Sequence, residues 1–139
     1  MSSPIRLRVV MAVYAVALVV VGFLPVPVDR GASPVIAEFV LWMQRYVMPW
    51  FSYEVVEFTA NVLWFVPFGL LGVLATGRRW WWLVLLAGAA VSTAIEAGQW
   101  LLLPERTPTP LDVVANTVGT AVGVAIGVGW MLRRERRRA

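Results

Sequence analysis

Four apolar blocks, at 9–25, 58–76, 80–103 and 111–132, constrain this chain more than any other feature. A helix needs about 20 apolar residues to cross the hydrocarbon of a bilayer, and each block is of that order. The expected fold is therefore all-α, a polytopic membrane protein whose single domain, residues 1–139, is a four-helix transmembrane bundle. Composition agrees. Hydrophobic residues make up 60% of the chain and charged residues 14%, against about 25% charged in a soluble domain. Mean hydropathy is +0.75, so the chain lacks the polar surface that water would require.

The first block follows Arg6 and Arg8 and so resembles a signal peptide. Its apolar stretch outruns a usual signal core and no A-x-A-like site closes it, so it reads as an uncleaved helix. The chain has no Cys and no His, and all twelve of its basic residues are Arg. Disulfides, Cys/His zinc sites, thiol nucleophiles and imidazole bases are thereby excluded. No cofactor, metal or nucleic-acid partner is expected.

Arginine placement sets the expected orientation, because Lys and Arg gather on the cytoplasmic side. Arg6 and Arg8 precede the first span, Arg78 and Arg79 join the second to the third, and the tail 133–139 carries five more. Arg30, Arg45 and Arg106 lie on the opposite side. Both termini are then cytoplasmic. Trp80, Trp81, Trp82 and Trp130 fall at the inner interface, and Trp50 and Trp100 at the outer one, as an aromatic belt requires. The long external connection contains an amphipathic stretch at 34–48, with Ser33 as its cap and Pro34 in first position. Too short to span, it is expected to lie in the outer interface rather than re-enter the membrane.

Ionisable and amide side chains within spans are costly unless paired or hydrated, and so carry the functional signal. Glu96 and Gln99 share a face of the third span, Asp112 and Asn116 a face of the fourth, and Asn61 opens the second. At about 1.5 Å per residue, Asn61 and Asn116 lie roughly 5–8 Å below the outer surface and Glu96 about 10 Å. Arg106, in the outer turn, is the cation within reach of Glu96 or Asp112. These six residues are the candidate ligand-binding set, and a satisfied network that fixes helix pairing is the plain alternative. Gly119, Gly123 and Gly127, with Gly88 and Ser92, form small-residue stripes expected to bring the third and fourth spans together as an antiparallel pair. Pro67 cannot donate to the carbonyl of Leu63, so a kink is expected there, with a neighbouring group serving the freed carbonyl.

Asn61-Val-Leu-Trp-Phe-Val-Pro67-Phe68-Gly69, Glu96-Ala-Gly-Gln99, Arg106 and Asp112-Val-Val-Ala-Asn116-Thr-Val-Gly119, in that order, resemble the VanZ-like membrane family over roughly residues 57–127. The resemblance departs at Thr109, where the family often has an acidic residue. It implies a small bundle in the bacterial cytoplasmic membrane. It also implies a link, through the founding member, with resistance to teicoplanin-type antibiotics.

The first expected function is a binding or accessory protein of the cell envelope. Membrane lipids or a lipid-linked cell-wall precursor would be the partner, the Arg fork taking phosphate or carboxylate. An intramembrane enzyme is the alternative, with Glu96 as acid or base and Asp112 beside it; but no His or Lys is present to activate Ser92. A transport route would require an oligomer or an opening at Pro67. Asn61→Cys, Glu96→Cys, Asp112→Cys and Asn116→Cys, each in the cysteine-free chain, are expected to react with an outside-only thiol reagent while an inner-half control does not. Uniform protection would instead indicate a closed network.

Overall fold

The computed structural model describes residues 3–24, 33–103 and 109–137. All elements among them are helical: α1 (Ser3–Gly22), α2 (Ser33–Tyr46), α3 (Tyr53–Thr76), a single 3-10 turn (Arg78–Trp80), α4 (Trp81–Leu102) and α5 (Pro110–Arg136). Four of these, α1, α3, α4 and α5, are long and apolar enough to span a bilayer, as hydropathy requires. At 24 residues, α3 extends about 36 Å.

The helix ends follow local chemistry, which moves several boundaries from where apolar content alone places them. Helix α3 starts five residues before the expected 58. Ser52 is extended, and Glu54 lies in the first turn, where an anion suits the helix dipole. It stops at Gly77, whose φ of +93° is costly for residues with a side chain and whose N–H closes on the Val73 carbonyl. Helix α5 opens with Pro110 in the first turn. It continues past 132 to Arg136, with Arg133, Arg134 and Arg136 in the last turn, where cations are favoured. Helix α1 begins at Ser3 rather than 9 and ends at Gly22 rather than 25.

Helix α2 begins at Ser33 and ends two residues short of the expected 48, three residues before Pro49. Val40 is buried, whereas Glu38, Trp42 and Arg45 are exposed. The Gln44 amide donates to the Phe51 carbonyl at 2.8 Å and ties the end of α2 to the start of α3. Phe39, Trp42 and Tyr46 form an exposed aromatic row, and Phe39 meets Phe51 edge-on.

The tightest packing in the bundle is between α3 and α5, which run parallel. A Cβ on Gly119 would stand 2.2 Å from the Val62 carbonyl oxygen, and one on Gly123 2.0 Å from that of Val66. In return, a Cβ on Gly69 would stand 2.0 Å from the Thr120 carbonyl oxygen. The hydrogens in those positions point at the carbonyls, giving Cα–H···O contacts in both directions. The glycine stripe of α5 thus packs on α3, not on α4 as its sequence position led us to expect. Spacing identifies a face but not the helix it meets.

Helix α4 packs antiparallel on another side of α5, with Gly88 against Thr120 and Ser92 against Asn116. Helix α1 lies on α3 and α4, and Leu18, Phe65, Phe68 and Ile95 form a core where the three meet. A second core, Val73, Val84 and Val124, joins α3, α4 and α5 nearer the other end. Helix α3 passes through Pro67 without a break. The Tyr14 hydroxyl on α1 donates to the Trp64 carbonyl at 2.6 Å, so a neighbouring helix serves the turn before the proline, one carbonyl beyond Leu63.

The alternation of helix directions gives the bundle two unlike ends. One, the arginine end, gathers Arg6, Arg8, Arg78, Arg79 and the last turn of α5, with Trp80, Trp81, Trp82 and Trp130 exposed around it. The other, the polar end, collects the last turn of α1, helix α2, the start of α3, the end of α4 and the start of α5. Gly123→Ala is expected to destabilise the bundle by about 1–3 kcal/mol, because its new methyl meets backbone rather than a movable side chain. At Gly129 nothing lies within 4 Å of an added Cβ, so Gly129→Ala should instead stabilise by about 0.5–1 kcal/mol through helix propensity. Reversible unfolding in detergent micelles measures both; equal effects would remove the special role of the α3–α5 contact.

Candidate functional site

At the polar end, α5 presents two polar side chains one turn apart to two different helices. Asp112, in its first turn, faces α3, and the Asn61 amide donates to its Oδ1 at 2.6 Å. The Thr109 hydroxyl donates to Asp112 Oδ2 at 3.1 Å. Both carboxylate oxygens therefore have donors, one from α3 and one from the residue before the helix. Thr109 is thus a donor to Asp112 at the position where the resemblance leads one to expect an acid, which would repel that carboxylate.

One turn further into the bundle, Asn116 faces α4. Only 5% of its surface is exposed, and its Nδ2 donates to Ser92 Oγ at 2.8 Å. Its backbone carbonyl receives the Thr120 hydroxyl at 2.9 Å. The other amide atom, Oδ1, is buried and accepts no hydrogen bond among the described residues. Turning the amide over would only exchange which of its two polar atoms is left over. An unmet acceptor inside a span costs several kcal/mol.

Glu96 is half-buried on α4, one turn beyond Ser92. The antiparallel register that sets Gly88 beside Thr120 and Ser92 beside Asn116 puts Glu96 level with Asp112. Gln99 engages a different helix. Its amide donates to the Gly22 carbonyl at 2.7 Å, holding the end of α1 against α4. Arg106 lies outside the described residues.

Of the six candidate residues, then, Asn61 and Asp112 are bonded to each other, Asn116 lies one turn below them on α5, and Glu96 shares their level. Gln99 serves α1. Ser92 and Thr109 join the constellation as partners, and sequence spacing held a signal for both. Ser92 is one turn from Glu96 on the same face, and Thr109 has the i, i+3 relation to Asp112 of a helix cap. No group of three carboxylates that could hold a cation occurs among the described residues.

A family model described as VanZ/LLP1 matches residues 11–132. That is most of the chain, which therefore belongs to the VanZ/LLP1 family. No curated protein and no solved structure matches it. Comparing Asn61→Ala, Asp112→Ala and the double variant by micelle unfolding should give a coupling of about 0.6 kcal/mol, the average for hydrogen bonds between membrane helices, and no more than about 1.7 kcal/mol. A coupling of zero would mean that the pair does not tie α3 to α5.

Proposed function

We propose that this VanZ/LLP1-family membrane protein is a binding protein for an amphiphile of the cell envelope, whose headgroup engages the polar end of the bundle. The unmet acceptor on Asn116 is the observation that carries this reading. A buried Oδ1 with no protein donor among the described residues calls for a hydroxyl or amide donor, which a headgroup that enters between α4 and α5 would provide. Glu96, held within the span near the same helix pair, adds a carboxyl that pure stability would not favour. Arg106 would supply the cation for a phosphate or carboxylate, and Asn61 and Asp112 would fix the rim.

The orientation implied by the arginines would put this end at the outer face of the cytoplasmic membrane. A lipid-linked cell-wall precursor is the amphiphile that would connect the chain to glycopeptide resistance. The plain alternative, a network that only sets helix pairing, draws support from the Asn61–Asp112 and Gln99–Gly22 bonds, which are internal to the bundle.

Lipids that copurify with the protein in nanodiscs, analysed by mass spectrometry, separate these readings. Glu96→Gln and Asn116→Leu are each expected to lower retention of a specific headgroup class about tenfold, the effect of losing roughly 1.4 kcal/mol. The melting temperature stays within a few degrees in Glu96→Gln and falls in Asn116→Leu, which also loses the bond to Ser92. Unchanged lipids in both variants would leave only the structural network. The same variants, scored for survival on a teicoplanin-type antibiotic, test the resistance link.

A further inference from the structure

Away from the polar end, α1 and α4 separate. They touch where Gly22 meets Ile95 and Phe23 meets Gly98. Toward the arginine end α1 leans on α3 instead, with Met11 beside Gly72. Between α1 and α4 the surface opens into a groove of about 610 Å³, lined by Arg8, Met11, Ala12, Ala75, Trp80 and Leu83 among others. A narrower recess of about 240 Å³ adjoins it through Met11, Ala75 and Leu83 and reaches in to Phe68 and Val84. Small side chains, Ala12, Ala75 and Gly72, leave this space open. The volume falls within the range of about 300–1,000 Å³ usual for small-molecule sites.

The lining has one chemistry along its depth and another at its mouth. The recess is almost wholly apolar. Arg8 and Trp80 stand at the end where the groove meets the helix termini, and among the described residues no acidic side chain lines either part. Arg79 is stacked over the Trp80 ring at 4.6 Å, which places a second guanidinium beside the mouth. Arg78, by contrast, is engaged with Glu135 at 3.6 Å.

We propose that this groove is a binding site for a phospholipid with an anionic headgroup, one acyl chain lying along Met11, Ala75 and Phe68 and the phosphate at Arg8. Charge complementarity selects the occupant. An apolar slot ending in arginines and a tryptophan matches the depth profile of one lipid in the leaflet on the arginine side, with Trp80 at headgroup level and guanidinium donors for phosphate oxygens. A detergent-like neutral chain would use the slot but not the arginines. The site is separate from the polar end and does not depend on the function proposed for it.

The test is the lipid retained by purified protein after exchange from vesicles of phosphatidylcholine with a minor fraction of phosphatidylglycerol, counted by native mass spectrometry. The wild-type chain is expected to keep about one phosphatidylglycerol in preference to phosphatidylcholine. Arg8→Gln, at an exposed position, should reduce that preference about fivefold, the effect of one arginine near an anionic surface, with phosphatidylcholine taking the vacated share of the slot so that total lipid retained is unchanged. Ala75→Leu, which fills the slot, should reduce retention of both lipids while the melting temperature is maintained. Replacing Arg133, Arg134, Arg136 and Arg137 by Gln should leave the preference intact. The proposal is overturned if the wild type retains the two lipids in proportion to their supply, as a non-selective annulus would. It is equally overturned if Arg8→Gln has no effect, or if the tail substitutions abolish the preference.

Discussion

In a bilayer there is no water to expel from between two helices, so close packing and polar contacts have to hold them together. The approach of α3 and α5 is the contact on which the rest of this bundle is built. At Gly119, Gly123 and Gly69 the two backbones lie so near that the position of a side chain is occupied by the other helix's carbonyl oxygen. Each Cα–H···O contact contributes about 0.5–1 kcal/mol at most. Larger in sum is the dispersion gained when two helices meet without side chains between them. Once α5 is fixed on α3, its neighbouring side chains have fixed addresses: Asp112 meets Asn61, Asn116 meets Ser92 and Thr120 lies against Gly88.

From that pairing the two ends diverge in character. At the polar end, side-chain bonds run from α5 to α3, from α5 to α4, and from α4 to α1, so all four spans are tied within a few turns of one another. Each such bond is a modest tie, but several act together here, and one polar atom, Asn116 Oδ1, is left without a partner among the described residues. At the arginine end, Arg78 and Glu135, both well exposed, form an ion pair of a kind that contributes little. Helices α1 and α4 are free to stand apart there. A bundle pinned at one end and open at the other thus follows from where the hydrogen-bonding side chains lie along the spans.

Much of this architecture can be read from the chain alone. The four spans, their alternating direction and the grouping of Trp and Arg by end follow from apolar run length and charge placement, both of which are local properties. The antiparallel pairing of α4 with α5 was legible too, from the small residues Gly88 and Ser92, which do meet α5. What could not be read is which neighbour the stripe Gly119, Gly123 and Gly127 serves, since two helices flank α5 and both carry small residues. The fate of Gln99 was hidden for the same reason. On its own helix it belongs with Glu96, yet the end of α1 supplies the carbonyl it serves. Boundaries shifted where polar first and last turns, such as Glu54 or Arg133 to Arg136, extend helices beyond the apolar core.

Sequence by itself determined that this chain is a four-span membrane protein of a recognisable family, because lipid imposes length and hydropathy on every span whatever the partners. It also determined that the expensive side chains would be Glu96, Asp112 and their amide neighbours, because cost in hydrocarbon belongs to the residue type. Only the tertiary structure decided which of those groups satisfy one another, which acceptor is left over, and that a lateral groove opens beside Arg8. These depend on the crossing of backbones at three glycines, and the absence of a side chain says how near another helix can come but not which helix it will be.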